Sequence, residues 1–172
     1  YRSFYSSDGN HNITFDNPVN TRYIVLYPEN YSDYSCLRFD VYVDGVLQDH
    51  RHGVNGVTRT ASSHHSSGLS PSHSHLSSES AWAHSGSDAA LVGGWIQLDL
   101  GSFKNVTGIK VLPRGDDDQY VTQFRLEFAN YNTEPDSYKD LLKVKLWNYP
   151  NNNSNSEISG TMRANLIGTY IG

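Results

Sequence analysis

Cysteine is almost missing from this chain: Cys36 stands alone, so no internal disulfide can form, and cysteine usage does not assign a redox compartment. Long apolar stretches are missing too. No run approaches the roughly 18 residues needed to span a bilayer, which argues against a helical membrane span, and the mean hydropathy is −0.58. Basic clusters are absent: 13 Lys and Arg face 18 Asp and Glu, a formal charge of −5. Phosphates demand a basic surface, so nucleic acid and anionic lipid are poor partners. Catalytic signatures are also lacking. There is no Gly-X-Ser-X-Gly, Walker loop, His-Glu-X-X-His or Gly-X-Gly-X-X-Gly, and a carboxylate pair such as Asp118 and Glu127 without a cleft is no evidence of glycoside hydrolysis. The expectation is therefore a non-enzyme that requires no cofactor. Tyr1 opens the chain without a signal-peptide pattern, which fits a mature or excised piece.

What the chain has is alternation. Ile96, Leu98 and Leu100 share one face of Trp95–Leu100; Phe124, Leu126 and Phe128 alternate with Arg125 and Glu127; Phe39, Val41 and Val43 alternate with Asp40 and Tyr42. Tyr23–Leu26 reads as a buried strand stopped by Pro28, and Lys104–Leu112 as a further strand. No segment carries a capped 3.6-residue pattern, so short strands between Gly, Ser, Asn and Asp clusters predict an all-β sandwich. Two stretches read as loops: residues 47–90, which hold seven of the eight histidines, and the Asn- and Ser-rich 150–160.

Between residues 61 and 130 the pieces Ala61-Ser62-Ser63, Ser70-Pro71, Ser80-Ala81-Trp82, Trp95–Gly101, Val106–Ile109 and Arg114–Phe124 follow one another. Their succession and spacing resemble the opening half of a discoidin (coagulation factor type C) domain. Phe15–Val19, Thr21–Ile24, Leu26–Pro28 and Ser35–Val41 resemble its closing half, which here comes first. Two explanations compete: a circular permutation, or a fragment cut out of phase from tandem repeats and completed by a second copy. Permutation is favoured because one chain then closes its own sheet, and domain termini commonly lie close together. The expected architecture is a permuted jelly-roll sandwich, a distorted barrel, in a single domain. Residues 1–46 would be the closing half, 47–60 the linker joining the usual termini, and 61–172 the opening half and remaining strands. The family's frequent terminal cysteine pair is absent. So is the Asp-Gly pair that helps sugar-binding members hold calcium: Leu76–Trp82 lacks it, so the sequence leaves room for calcium without supporting it.

The resemblance implies that loops at one end contact the ligand: His64–Gly68, Arg114–Gln119 and Asn30–Tyr34. These loops offer Arg114, Asp116, Asp117, Asp118, Tyr31, Tyr34, His64 and His65 as candidate ligand-binding residues, and no catalytic ones. Membrane-binding relatives expose apolar residues flanked by basic ones there. Three aspartates near anionic headgroups would be repelled and costly to desolvate, so membrane insertion is disfavoured. Carboxylates and a guanidinium suit vicinal sugar hydroxyls through charge-assisted hydrogen bonds, and a Tyr face suits the C–H side of a pyranose. The competing reading of Arg114 and Asp116 is an internal salt bridge shaping the turn; that of Asp117 and Asp118 is solvated loop charge; that of Tyr31 and Tyr34 is rim packing. Trp82 and Trp95 read as core. Arg114-Gly115-Asp116 is also the tripeptide read by integrins, but it falls inside the fold's own turn. His50-X-His52, His64-His65 and His73-X-His75 resemble metal-binding tracts, yet no Cys or carboxylate at defined spacing completes a closed zinc site, and a pH-responsive polar loop is the equal alternative. Asn-X-Ser/Thr acceptors stand at Asn12, Asn30, Asn105 and Asn152.

The leading expectation is a secreted, extracellular lectin-like or cell-adhesion domain whose partners are glycans or glycoproteins on a cell surface or matrix. Self-association into a homo-oligomer stays open. The alternative is a structural matrix or secreted-assembly protein that binds other proteins and has no sugar site.

Overall fold

The alternating stretches become strands. The computed structural model describes residues 4–86, 94–129 and 144–145. In chain order the strands are β1 (Phe4–Tyr5), β2 (His11–Ser32), β3 (Cys36–Val43), β4 (Val46–Leu47), β5 (Thr58–Ala61), β6 (Trp82–Ala83), β7 (Ile96–Leu112), β8 (Tyr120–Ala129) and β9 (Val144–Lys145). No α-helix occurs among the described residues; Ser67–Leu69 and Pro71–His73 each form a single 3-10 turn. All pairings are antiparallel, in the order β1-β8-β2-β7-β3-β4, with β5 on β7, β6 on β3 and β9 on β8.

The long strands make the sandwich by turning corners. β2 lies between β7 and β8, with register breaks at Thr14/Val19 and Thr21/Tyr23. β7 bends at Gly101, whose φ of +76° suits glycine and whose ideal Cβ would lie 3.1 Å from the carbonyls of Asn55 and Gly56. Strands that bend in this way can serve both layers. One core results, holding Ile13, Ile24, Leu26, Phe39, Val41, Trp82, Ile96, Leu98, Ile109, Phe124 and Leu126. Each large apolar side chain so buried contributes about 1.5–3 kcal/mol against exposure.

Three expectations change. The path of paired strands is an open antiparallel sheet and does not close into a barrel. The two strands read at 95–100 and 104–112 are one, because Gly101 lets the ladder continue around the corner. β2 does not stop at Pro28: beyond Leu26 its pairing with β7 has ended and only β8 remains, so proline's missing N–H falls on an unpaired side.

The 47–60 segment is stitched to the sheet rather than slack. Its last residues begin β5, Val57 is buried, and Arg59 enters the interior to meet Asp40 of β3. Further on, Ser62 and Trp95 exchange hydrogen bonds, and Trp82 Nε1 donates to Ser63 O at 2.9 Å. Both Trp82 and Trp95 are buried; Trp82 sits in the main core and Trp95 in a separate cluster with Val25 and Tyr27. The 150–160 stretch lies outside the described residues.

Candidate functional site

The strand ends bring the predicted loops to one pole. β2 ends at Ser32 opposite Tyr120, the first residue of β8, so the 32–36 turn meets the 113–119 loop. Asn30, Tyr31 and Ser32, expected in a loop, are the last rungs of β2, because β8 offers Gln123, Val121 and Tyr120 as partners. Only Asp33 and Tyr34 form the turn proper, with Asp33 at φ +61°. The third segment joins through rings: His65 and Tyr34 meet edge to face, centroids 5.1 Å apart at 81°. His65 is exposed, and its main-chain N–H donates to Ala83 O at 2.9 Å; His64 is exposed beside it.

Arg114 points inward along its own loop. Nε and Nη2 grip the two carboxylate oxygens of Asp116, and Nη1 donates to Gln119 Oε1 at 3.0 Å. Such a bidentate pair is the strong form of a charge-assisted hydrogen bond. It holds the Asp116 carboxyl below the usual range and pushes the Arg114 guanidinium up. The internal salt bridge is therefore the structural role of Arg114 and Asp116. The Arg-Gly-Asp tripeptide is closed on itself, its two charges satisfying each other. Asp117 and Asp118 remain outward; both are exposed, and Asp117 caps the turn by accepting from the Asp118 N–H at 2.8 Å. Tyr31 and Tyr34 are half-buried.

Several residues at this pole were not among the candidate ligand-binding residues. Gln119 bridges loops, Nε2 donating to Asp33 Oδ2 at 3.0 Å. Cys36 lies beneath, its Sγ donating to Gln119 Oε1 at 3.3 Å; burial pushes its thiol up to about 12, so it is an inert packing group. Glu79 and Ser80 form a floor: Gly115 N donates to Ser80 O, and an ideal Cβ on Gly115 would stand 2.4 Å from Glu79 O. The 6–10 turn packs against Tyr120 through Gly9, and its Asp8, bonded by Ser6 and Asn10, has a pKa lowered to about 2. Period-2 reading finds strands; it has no signal for contacts between turns that are distant in sequence.

The histidine tracts disperse. His50 donates to Asp40, His52 Nδ1 accepts from the Arg59 N–H, and His75 lies beside Asp49 and Ser77. No group of three or more metal-capable side chains occurs among the described residues.

The open antiparallel sandwich carries a polar loop pole, and comparison supplies its kinship. The model of the F5/8 type C domain matches residues 58–171, well over half of the chain. The chain belongs to the F5/8 type C domain family. F5/8 type C domains are binding domains, generally extracellular, that take carbohydrates, phospholipids or proteins. The match starts at β5, so β2 and β3, which fill the middle of this F5/8 type C domain's sheet, lie before it. Its portions at 87–93, 130–143 and 146–171 fall outside the described residues. Comparison with curated proteins and with solved structures found no match. No helix among the described residues is long and apolar enough to cross a membrane.

Proposed function

We propose that this F5/8 type C domain is a secreted carbohydrate-binding domain, lectin-like or adhesive, that holds glycans at the pole formed by residues 31–34, 64–65 and 114–119. One observation carries the reading: Asp117 and Asp118 stand exposed on the loop that Gln119 ties to Asp33, whose turn also holds Tyr34 of the Tyr34–His65 ring pair. Carboxylates can accept from vicinal hydroxyls, while an aromatic ring takes the apolar face of a sugar. Each hydrogen bond to a charged group is worth about 1.5–3 kcal/mol, so a shallow site would bind weakly and gain strength from multivalent display. The same exposed aspartates argue against an anionic membrane surface. No cofactor is required in this reading. Asn12, Asn30 and Asn105 are exposed and would accept N-linked glycans in a secretory host; Asn152 lies outside the described residues. For the domain as a whole we favour permutation: residues 1–46 as closing half, 47–60 as the join, 61–172 as the remainder.

A glycan array, read with and without calcium, tests the reading. Asp117→Asn with Asp118→Asn should cut binding by about ten- to a hundredfold, one charged hydrogen bond's worth, and leave the melting temperature unchanged. Asp116 is unsuitable for this test, because losing its carboxylate would also release Arg114. Undiminished binding by the double variant would remove the site assignment. Selectivity for a galactose- or fucose-type set would support a lectin, and calcium dependence would add a metal to the site.

A protein-binding reading is favoured by one different feature. Phe103, Val46 and Val54 are exposed, at 52%, 62% and 49%. A blank array at high protein concentration would shift the assignment to protein assembly.

A further inference from the structure

We propose that Gln119 is the positioning residue of the ligand pole: its amide sets the spacing between the 33–34 turn and the 114–118 loop. The functional part of this rests on the carbohydrate reading above; the geometric part does not. The amide is used at both ends. Nε2 donates to Asp33 Oδ2 at 3.0 Å, while Oε1 accepts from Arg114 Nη1 at 3.0 Å and from Cys36 Sγ at 3.3 Å. The backbone repeats the tie, Arg114 N donating to Gln119 O at 3.0 Å.

The polarity of these bonds demands an amide. Asp33 presents an acceptor, so the group facing it must donate; Arg114 and Cys36 present donors, so the group facing them must accept. Glutamate in this place would satisfy Arg114 and Cys36 but set a second carboxylate against Asp33. Leucine would serve neither side. Asp33 has reason to need holding: at φ +61° it is a non-glycine residue in the left-handed region, in the turn that presents Tyr34 to His65. Fixing Asp33 to the loop that carries Asp117 and Asp118 fixes the distance between the ring pair and the exposed carboxylates. That distance decides which sugar shape fits, which makes Gln119 a determinant of specificity as well as of affinity.

The test uses the full chain as wild type, Gln119→Glu, and Asp33→Asn with Gln119→Glu. Asparagine at 33 can donate to a carboxylate at 119, so the double variant restores the bond with its polarity reversed. Two readouts are taken at pH 7.5: hydrogen exchange of the 31–34 and 114–119 amides, and saturation-transfer NMR with methyl β-galactoside and methyl α-fucoside as probes. Gln119→Glu should speed exchange in both segments, leave the β2–β7 ladder protected, and weaken binding about tenfold. The double variant should recover both. Unchanged exchange in Gln119→Glu, or no recovery in the double variant, overturns the proposal. If exchange follows the expected pattern but neither sugar binds even the wild type, the positioning role stands and the carbohydrate reading falls.

Discussion

Asp40 sits fully buried and accepts from four donors: the main-chain N–H groups of His50 and Val41, His50 Nδ1 at 2.7 Å and Arg59 Nη2 at 2.8 Å. Arg59, equally buried, spends its other protons on the carbonyls of Phe39, Ser74 and His50, and its guanidinium lies over the Phe39 ring. Burial pulls its pKa down to about 10, which leaves it charged at neutral pH. Removing one partner of such a pair strands the other charge, at about 3–5 kcal/mol. Arg59→Met should therefore lower the urea-unfolding free energy by that amount, and Asp40→Asn added to it should recover part. His11 gives a second prediction at this scale. Its Nε2 donates to Val121 O at 3.1 Å and its ring meets Phe124 edge-on; burial holds its pKa below the ordinary 6.5. The unfolded chain then binds a proton that the folded chain resists. Stability is complete above about pH 6.5 and declines as pH falls below it, by at most about 1.4 kcal/mol per pH unit for one proton. His75 and His84 shift in the same direction, also by burial, so His11→Phe should flatten this acid slope without abolishing it in urea titrations at pH 5–7.5.

Among the elements, two glycines separate what the sheet needs from what the proposed ligand pole needs. An ideal Cβ on Gly108 of β7 would lie 2.4 Å from Ile13 O of β2, backbone against backbone in the middle of the sheet. The same atom on Gly115 would lie 2.4 Å from Glu79 O, but between two surface loops. Overpacking costs typically about 1–3 kcal/mol where neighbours can shift. Gly108→Ala should exceed Gly115→Ala in lost unfolding free energy, whereas Gly115→Ala should do the greater damage to the proposed glycan binding by lifting the 114–118 loop. Equal effects on both readouts would mean that pole and sheet are not separable. The same contrast explains what was legible beforehand. Strand identity followed from local alternation at Phe39–Val43, Ile96–Leu100 and Phe124–Phe128, because a buried face leaves its mark every second residue. Pro28 misled because its tolerance depends on which neighbour has already stopped pairing, a fact about β7 rather than about Pro28. The pole was legible only as a set of loops. The bridge from Arg114 to Asp116, two residues on, was open to sequence reading as the competing role of that pair; that Gln119 would span to Asp33 depends on turns more than 80 residues apart meeting in space.

At the scale of the whole molecule, the first 47 residues matter because of where they lie. β2 is central, flanked by β7 and β8, and β3 follows on the other side of β7. A sheet without them would leave β7 and β8 as unpaired edges with half a core, an unstable arrangement. The connection to the remainder is held at both ends: Asp40 of β3 binds His50 and Arg59, and Asp49 accepts from Ser77. A segment tied down in this way gains nothing from exchange into a second copy, which is the physical case for closure within one chain. A cross-link decides the point. Asn12 and Lys110 are register partners across β2 and β7, neither of them buried. Antiparallel partners have Cα atoms about 4.5–5.5 Å apart, within disulfide reach. Asn12→Cys with Lys110→Cys should oxidise to a cross-linked monomer on a non-reducing gel. Cys36 should take no part, since it is buried and its thiol is held up at about 12. Covalent dimers in place of that monomer would mean that β2 enters from a second copy. The chain would then be a piece of a tandem array, and the ligand pole, built from residues on both sides of the join, would be shared between two molecules.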